Sequence, residues 1–258
     1  MKFSVITVSY NSVLTLRDTM ESVLAQRLVE VEYIVVDGAS KDGTLDLLRE
    51  YETKFDGRML WVSEPDKGLY DAMNKGIQMA TGDVVGMLNS DDFFTDEYSL
   101  HRLLRVFERE SDLDAVYADI HFVHPDNLKK CVRYYSSKVF TRKLMRLGFM
   151  PAHPTFYMRK RLYEQNGLYK TDYRICADFE LLLRFIFVNR IMVQYVRTDL
   201  VTMRIGGAST GGLSSHRIIM REHLRAFKEN GVYTNSALLS LRYVYKVVEV
   251  VYSRLVKK

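Results

Sequence analysis

Two adjacent carboxylates, Asp91 and Asp92, come shortly after the apolar run 84–88. Such a run predicts a buried strand, so both carboxylates are expected where water is scarce. Neighbouring carboxylates repel each other, and a divalent cation with oxygen ligands commonly offsets such charge while bridging substrate phosphates. There is a structural alternative, because either residue could be the N-cap of a helix that begins near Asp96. The pair alone leaves both interpretations open.

A third acidic residue, Asp37, ends the apolar run 31–36. An acidic residue at the tip of the second strand of an α/β sheet commonly hydrogen-bonds the ribose or base of a nucleotide, so we favour a binding role for Asp37. Asp42 and Gly43 need only a structural role, since they supply a turn and a helix start. Lys67 precedes a predicted helix N-terminus, which suits a diphosphate, although Lys67 taken alone is better explained as a solvated loop lysine.

The elements that must position these residues alternate between strands and helices. Apolar runs predict strands at 3–9, 31–36, 60–63 and 84–88, and helical periodicity predicts helices at 15–26, 44–54 and 68–80. This alternation indicates an α/β fold, in which a mostly parallel central sheet carries helices on both faces. Ligands of such sheets bind beyond the carboxyl ends of the strands, which is where the polar residues above cluster.

The pattern changes after Glu110. Extended segments are predicted at 114–123, 129–135, 155–158, 192–196 and 201–204, and helices at 138–147, 177–189, 215–230 and 236–256. The segment 206–212 is too rich in glycine for regular structure and is predicted to be a mobile loop.

Composition places the chain among ordinary globular proteins. It has 258 residues, of which 47% are hydrophobic and 27% charged. The two cysteines, Cys131 and Cys176, lie in unrelated contexts and weakly favour a reducing compartment. The sequence enters a strand directly, without the apolar stretch and cleavage site of a signal peptide, and no run of 18 apolar residues occurs. We therefore expect a cytoplasmic protein.

Charge is distributed unevenly along the chain. Residues 1–100 carry a net charge of −9 and residues 101–258 a net charge of +14, while 127–163 contain ten basic residues and no acidic one. This asymmetry favours a metal site in the acidic half and an anionic partner near the basic half. Nucleic acid is not expected, because no nucleic-acid-binding signature is present, and a membrane surface fits the charge. The segments 236–256 and 138–146 are either plain packing helices or basic interfacial helices that hold the protein at the inner face of the membrane.

Four sequence runs together resemble the family 2 glycosyltransferases. They are the opening strand, the run 36–44 (VDGASKDGT), the run 64–76 (EPDKGLYDAMNKG) and the run 88–92 (LNSDD). More narrowly, they are similar to bacterial enzymes that build capsule, exopolysaccharide or colanic-acid-type repeat units. The resemblance implies a GT-A (Rossmann-like) fold and inversion at the anomeric carbon. It also implies a nucleotide-diphospho-sugar donor with UDP favoured, a divalent metal (Mn or Mg), and a glycan or polyprenyl-diphosphate-linked acceptor.

The same resemblance divides the chain into three parts. Residues 1–110 would form the nucleotide-sugar-binding half of one GT-A domain, residues 111–213 its acceptor-binding and catalytic half, and residues 214–258 a C-terminal helical extension. Carried over residue by residue, it places the base and ribose at Thr7, Val8, Tyr10 and Asp37, the nucleotide and donor region at Lys67 and Asn74, the ribose or sugar at Asp91, and the metal at Asp92.

Three departures or open roles accompany this assignment. The family often writes its metal motif as Asp-x-Asp, whereas residues 89–92 read Asn-Ser-Asp-Asp, so Asp92 is the favoured ligand. His153 matches a histidine of close relatives and could contact the metal, the diphosphate or the acceptor, or be structural. Arg204 and the glycine-rich segment through Ser209 resemble a flexible segment that closes over donor phosphates, for which the planar, permanently charged guanidinium is suited. The alternative is a disordered connection.

Inverting transfer needs a carboxylate that removes a proton from the acceptor hydroxyl. The family places it in a Glu-Asp pair that opens a helix in the second half; here Ala177 occupies the first position and Asp178 the second. Asp178 is therefore the predicted catalytic base, with a helix N-cap as the alternative, and Glu180 is expected to be structural or to support the catalytic residue. A sugar-phosphate nucleotidyltransferase is a competing function, but the glycine-rich loop expected after strand one is missing. A non-catalytic nucleotide-sugar-binding module is a third, which Asp92 and Asp178 argue against.

Overall fold

A computed structural model gives the structure of residues 1–206 and 213–242. The N-terminal part alternates strands and helices, and it confirms the predicted order of elements. These are β1 (Lys2–Ser9), α1 (Leu16–Leu24), β2 (Glu30–Asp37), α2 (Thr44–Phe55), β3 (Met59–Ser63), α3 (Leu69–Met79) and β4 (Val84–Met87). β1 pairs in parallel with both β2 and β4, and β2 pairs in parallel with β3, so the carboxyl ends of all four strands lie at one edge.

The second part is less regular. Its strands and α-helices are β5 (Phe93–Phe94), α4 (Ser99–Arg109), β6 (Ala115–His124), β7 (Asn127–Tyr135), β8 (Tyr157–Arg159), α5 (Arg161–Asn166), α6 (Ala177–Leu182), β9 (Val193–Arg204) and α7 (Leu213–Glu229). Short 3-10 helices occupy Ser137–Val139, Arg142–Leu147 and His153–Thr155, and a π-helical segment, Leu183–Val188, continues α6. Residues 236–242 are helical again.

All strands belong to one mixed sheet with the order β3-β2-β1-β4-β8-β6-β9-β5, and β7 pairs with β6. β8 runs antiparallel to both β4 and β6, whereas β9 runs parallel to β6. Apolar residues cover both faces of the sheet. Alternate residues of β1 point to opposite sides, so that Phe3 and Val5 belong to one core and Ile6 and Val8 to the other.

Each core is closed by a different set of helices. Buried residues of α1, α2 and α4 pack on the face of Phe3, and buried residues of α3, α5, α6 and α7 pack on the face of Ile6. Gly76 lets α3 approach β1, because a Cβ at that position would lie 2.4 Å from Ile6 Cγ2. The predicted α/β class, with helices on both faces, is confirmed.

Three predicted elements, one helix and two strands, are wrong in detail. The helix expected at 138–147 is two 3-10 helices, because Phe140 and Thr141 between them are extended. The two strands expected at 192–196 and 201–204 are a single strand, β9. Register shifts where β9 pairs with Asp119 of β6 let β9 continue through the polar stretch that separates its apolar runs.

The described residues bear on the membrane predictions only in part. Within residues 1–206 and 213–242, no helix has the length and apolar character needed to cross a bilayer. Most of the predicted helix 236–256 and the glycine-rich loop through Ser209 lie outside the described residues.

Candidate functional site

A cleft of about 560 Å³ opens at the carboxyl edge of β1 and β2. The exposed ring of Tyr10 forms part of its wall, and Val8, which is nearly buried, forms part of its floor. The lining residues are Val8, Ser9, Tyr10, Ser12, Gly38, Pro65, Asp66, Gly68, Leu69, Ala72 and Ser90. The structure thus brings two of the predicted base-binding residues, Val8 and Tyr10, to the edge where a parallel sheet binds ligands.

Asp37 is fully buried next to this cleft and does not line it. One carboxylate oxygen accepts hydrogen bonds from the hydroxyls of Ser9, at 2.9 Å, and Ser40. The other accepts from the Ser40 backbone N–H at 2.9 Å and the Ser63 hydroxyl at 2.7 Å. Four donors therefore occupy the carboxylate, which joins the ends of β1, β2 and β3 where we predicted a contact with base or ribose.

Thr7 and Asn74 are also occupied by the framework. The buried Thr7 hydroxyl donates to the Leu88 carbonyl at 2.7 Å and accepts from the Tyr33 hydroxyl at 3.0 Å. The Asn74 side chain donates to the Tyr169 carbonyl and accepts from the Tyr169 N–H, both at 2.9 Å. Thr7 thus links β1 to the segment after β4, and Asn74 links α3 to the segment around Tyr169. We had predicted ligand contacts for both residues.

The loop before α3 carries the predicted Lys67. Lys67 is exposed, and its backbone N–H donates to the carboxylate of Asp71 at 3.0 Å. Its neighbour Asp66 accepts a hydrogen bond from the Gly68 N–H at 2.8 Å. Gly68 has a φ of +113°, a conformation that favours glycine, and it turns the chain into α3 beside the cleft. The ammonium of Lys67 is therefore free to reach a phosphate placed near this helix start.

Asp92 is buried and only partly satisfied. One of its carboxylate oxygens accepts from the Asn89 side-chain amide at 2.8 Å, and the other, Oδ1, has no hydrogen-bond partner among the described residues. Burial, and then the charge of Asp91, raise the pKa of Asp92 well above its usual range. Burial also raises the pKa of Asp91, and Arg204 opposes that shift. Helix α4 begins at Ser99, so neither carboxylate caps it.

This arrangement fits a divalent cation. A buried carboxylate oxygen without a donor, beside a second carboxylate, is a position that a cation would satisfy. Within residues 1–206 and 213–242, no group of three or more His, Cys, Asp or Glu residues could hold a metal ion by itself. A cation at Asp92 and Asp91 would therefore need further oxygens from a ligand, and a diphosphate supplies them.

Arg204, at the end of β9, lies against this pair of carboxylates. Its guanidinium donates to the Asp91 carbonyl and to the Asp18 carboxylate, and it lies over the ring of Phe93 at 5.2 Å. The side chain is nearly buried. The structure thus places Arg204 at the predicted site, where it fixes the backbone of the carboxylate pair, and the predicted contact with donor phosphates stays a prediction.

Asp178 lies at the start of α6 and is partly exposed. Its carboxylate accepts from the Phe179 N–H at 2.7 Å. Burial raises the pKa of Asp178 above its ordinary value, and the neighbouring His153 opposes the shift. Burial in turn lowers the pKa of His153, whose Nε2 lies 2.9 Å from the Tyr169 hydroxyl. His153 therefore interacts with Asp178 and Tyr169, and its predicted contact with a metal, the diphosphate or the acceptor stays a prediction.

Glu222 is a site residue that the sequence did not reveal. It projects from α7, is nearly buried, and accepts from the backbone N–H groups of Arg174 at 2.7 Å, Ile175 at 3.0 Å and Cys176 at 2.8 Å. These are the residues that lead into α6. Because a carboxylate on three backbone donors restrains the chain strongly, Glu222 holds the segment from which Asp178 projects.

Helix α3 joins the cleft to the region of Asp178. Its first turn lines the cleft through Leu69 and Ala72, while the Tyr70 hydroxyl donates to the Ile175 carbonyl on the other side. The rings of Tyr70 and Tyr169 stack with centroids 5.8 Å apart. The first turn of α3 therefore contacts both the cleft and the segment that leads into α6.

Comparison with known proteins agrees with this geometry. Residues 4–187 match the family model described as Glycosyl transferase family 2. A PGL/p-HBAD biosynthesis glycosyltransferase of Mycobacterium bovis (strain BCG / Pasteur 1173P2) is 26% identical over 223 residues, which cover 86% of this chain and 82% of the relative. An uncharacterized glycosyltransferase of Mycobacterium tuberculosis (strain ATCC 25618 / H37Rv) is 32% identical over 206 residues, covering 79% and 76%.

Solved structures share the fold. S. aureus TarS 1-349 in complex with UDP-GlcNAc superposes with a TM-score of 0.70 at 18% identity, covering 93% of this chain and 71% of that one. Mannosyltransferase PcManGT from Pyrobaculum calidifontis, in complex with GDP-Man and Mn²⁺, gives a TM-score of 0.65 at 18% identity, covering 88% and 63%. The predicted GT-A fold is confirmed.

Proposed function

Because the chain belongs to glycosyltransferase family 2, we propose that it transfers a sugar from a nucleotide-diphospho-sugar to an acceptor hydroxyl, with inversion at the anomeric carbon. The observation that carries the proposal is the junction of the cleft with the carboxylate pair. Ser90 lines the cleft, its hydroxyl lies 3.0 Å from that of Ser12, and Asp92 with its unpartnered Oδ1 follows two residues later. A nucleoside in the cleft would thus extend its diphosphate toward the carboxylates.

Different residues of the site would bind the nucleoside, hold the cation and remove the proton. The nucleoside would lie between Tyr10 and the loop before α3, with Lys67 near the phosphates. A divalent cation held by Asp92 and Asp91 would offset the charge of the departing nucleoside diphosphate. Asp178, whose pKa burial raises, would take the proton of the acceptor hydroxyl as it attacks the anomeric carbon from the face opposite the leaving group. A carboxylate with a raised pKa is a stronger base than an ordinary aspartate.

Surface charge supports a membrane-bound acceptor. Lys129 and Lys130 on β7 and Lys143 in the 3-10 helix after it are exposed. We propose that this basic surface meets anionic headgroups, so that the enzyme works as a peripheral protein on the inner face of the membrane on a glycan or polyprenyl-diphosphate-linked acceptor in bacterial surface polysaccharide synthesis.

A donor screen tests the proposal. The protein is incubated with uridine and guanosine diphospho-sugars in manganese, magnesium or chelator, and the released nucleotide is measured. We expect release from a uridine donor and its loss in chelator. Asp92→Asn should abolish release and weaken the manganese-dependent affinity for UDP measured by calorimetry. Asp83→Asn, which makes the same substitution just before β4, should change neither.

Two outcomes contradict different parts of the proposal. Full activity in chelator would exclude the metal but not the transfer. Absence of nucleotide release from every donor, together with absence of UDP and GDP binding by the folded protein, would exclude a nucleotide-sugar substrate.

A further inference from the structure

Asp37 holds the ends of three strands together, so it does not serve as the hydrogen-bond acceptor for the nucleotide base that the sequence suggested. Four donors already occupy its carboxylate, which is fully buried. A pyrimidine or purine in the cleft presents N–H groups that lose their hydrogen bonds to water, and a buried donor without an acceptor is costly. Another acceptor should therefore line the cleft near the end of β2.

Gly38, the residue after β2, marks the place where that acceptor lies. A Cβ built at Gly38 would lie 2.7 Å from Asp66 Oδ2 and 3.3 Å from Cδ2 of the Tyr10 ring. The carboxylate of Asp66 thus occupies the space that a side chain at position 38 would take. Glycine at this position lets a carboxylate from the loop before α3 reach the end of β2.

The Asp66 carboxylate is oriented with one oxygen free. Its Oδ1 accepts from the Gly68 N–H at 2.8 Å, whereas none of the described residues donates a hydrogen bond to Oδ2. Asp66 lines the cleft together with Tyr10, whose ring is 67% exposed. An exposed aromatic face beside an oriented acceptor is the pair of features that a flat heterocycle needs, because the ring stacks while the carboxylate accepts its N–H.

We infer that the Asp66 carboxylate, beside Gly38 and Tyr10, is the group that recognises the base and selects bases with a ring N–H. This inference rests on the proposed nucleotide-sugar function. Uracil presents N3–H as a donor, and guanine presents N1–H with its 2-amino group. Cytosine instead has a lone pair at N3, which faces a carboxylate unfavourably. Asp66 would therefore weaken the binding of cytidine nucleotides as well as bind uridine or guanosine nucleotides.

Calorimetry with UDP, CDP and 3-methyl-UDP tests the inference directly. The wild-type protein should bind UDP about 10- to 100-fold more tightly than CDP or 3-methyl-UDP, the range expected for a hydrogen bond to a charged group. Asp66→Ala should lower UDP affinity and bring the three affinities together. Asp66→Asn should narrow the gap between UDP and CDP, because an amide can donate to cytosine N3 as well as accept from uracil N3–H.

The matched control is Glu64→Gln. Glu64 is an exposed carboxylate two positions earlier in the same loop; it pairs with Lys75 at 2.8 Å and does not line the cleft. It should keep the wild-type order of affinities. Retention of the wild-type ratio of UDP to CDP affinity in Asp66→Ala would overturn the inference while leaving the nucleotide-sugar proposal intact. Failure of the wild-type protein to bind any nucleotide would overturn both.

Discussion

The cleft beside β1 and β2 and the surroundings of Asp178 are built in opposite ways. The cleft draws on short runs that follow successive strands within residues 8–90, so most of its lining residues have sequence neighbours that also line it. Asp178 instead depends on groups that lie far apart along the chain, such as His153, Tyr70 and Glu222. The sequence motifs therefore contain several residues of the cleft. In the second region, by contrast, the motif identifies Asp178 but not the distant residues that surround it.

Together the motifs contain two kinds of polar residue: those whose hydrogen bonds hold the fold together, and those that keep an oxygen without a hydrogen-bond donor. In the cleft region, Asp37, Thr7 and Asn74 are occupied by hydrogen bonds that hold strand ends and α3 in place. Asp66 and Asp92, from the same runs, each keep a carboxylate oxygen without a donor among the described residues. Sequence position cannot separate these groups, because the two kinds alternate along the runs, but hydrogen-bond accounting can.

The second region separates the same two roles in another way. Glu180 is fully buried and paired with Lys170 and Arg184, both at 3.1 Å, so it is structural, as predicted. Two residues earlier, Asp178 accepts a single hydrogen bond from its neighbour's N–H and is partly exposed. Of these two carboxylates, Asp178 has the fewer partners, which is why we propose it and not Glu180 as the base.

In the surroundings of Asp178, the largest effect on the rate is expected from substitution of Asp178 itself. Asp178→Asn should lower the rate of transfer by about 10²–10⁴, the usual contribution of a positioned general base, while UDP affinity stays near the wild-type value. Initial rates and calorimetry measure the two quantities. Asp172→Asn, an exposed carboxylate of the same loop region that pairs with Arg225, is the control. A variant that binds donor and transfers at the wild-type rate would show that another group is the base.

The pH dependence follows from the same carboxylate. A general base acts when it is deprotonated, and burial raises the pKa of Asp178. The kcat/KM of the wild-type enzyme should therefore fall as the pH is lowered through that pKa, at a higher pH than an ordinary aspartate would give. Asp178→Asn should remove this acid limb from the pH profile.

The fold was largely predictable because its signals are local. The periodicity of α3, with Met73 and Ile77 on its buried face, and the apolar runs of β1, β2 and β4 specify both the type and the order of the elements. Such signals fail where tertiary contacts override them. The helix expected at 138–147 is broken, because the extended Phe140 and Thr141 separate two shorter helices.

The site was predictable in location but not in its division of roles. Strand ends pointed to the edge of the sheet where the cleft lies, and the Asp91–Asp92 pair directly follows Ser90, which lines that cleft. Nothing in the sequence marks Glu222, which is one more acidic residue on an amphipathic helix until three backbone donors are seen around it. Nothing in the sequence marks Asp66 either, because its carboxylate reaches the end of β2 only where Gly38 has no side chain.

Glu222 offers a smaller and more selective effect. Glu222→Gln removes a charge that helps to raise the pKa of Asp178 and replaces one acceptor with an amide that faces backbone donors. We expect the rate of transfer to fall by about tenfold, less than for the base itself. The acid limb of the pH profile should move to lower pH, because a like charge near Asp178 is gone, and UDP affinity should be unchanged.

Glu229→Gln is the control for Glu222, since it lies on the same helix but pairs with Lys170 and Arg225. It should leave the acid limb where it is. If the Glu222→Gln enzyme is less stable but its pH profile is not shifted, Glu222 stabilises the fold without influencing Asp178.

Substitution of Asp37 tests the framework interpretation most directly, because its main expected effect is on stability. Asp37→Asn keeps the shape of the side chain but turns one oxygen into a donor that must face Ser9, Ser40 or Ser63. The free energy of unfolding should fall by about 1–3 kcal/mol, the cost of leaving a buried group unsatisfied. Urea denaturation measures this loss, and calorimetry on the folded protein should give a smaller change in UDP affinity than Asp66→Ala does. The opposite pattern, unchanged stability with a large loss of UDP affinity, would show that Asp37 binds the ligand. The distinction between carboxylates that hold the fold and carboxylates that bind a ligand would then be wrong.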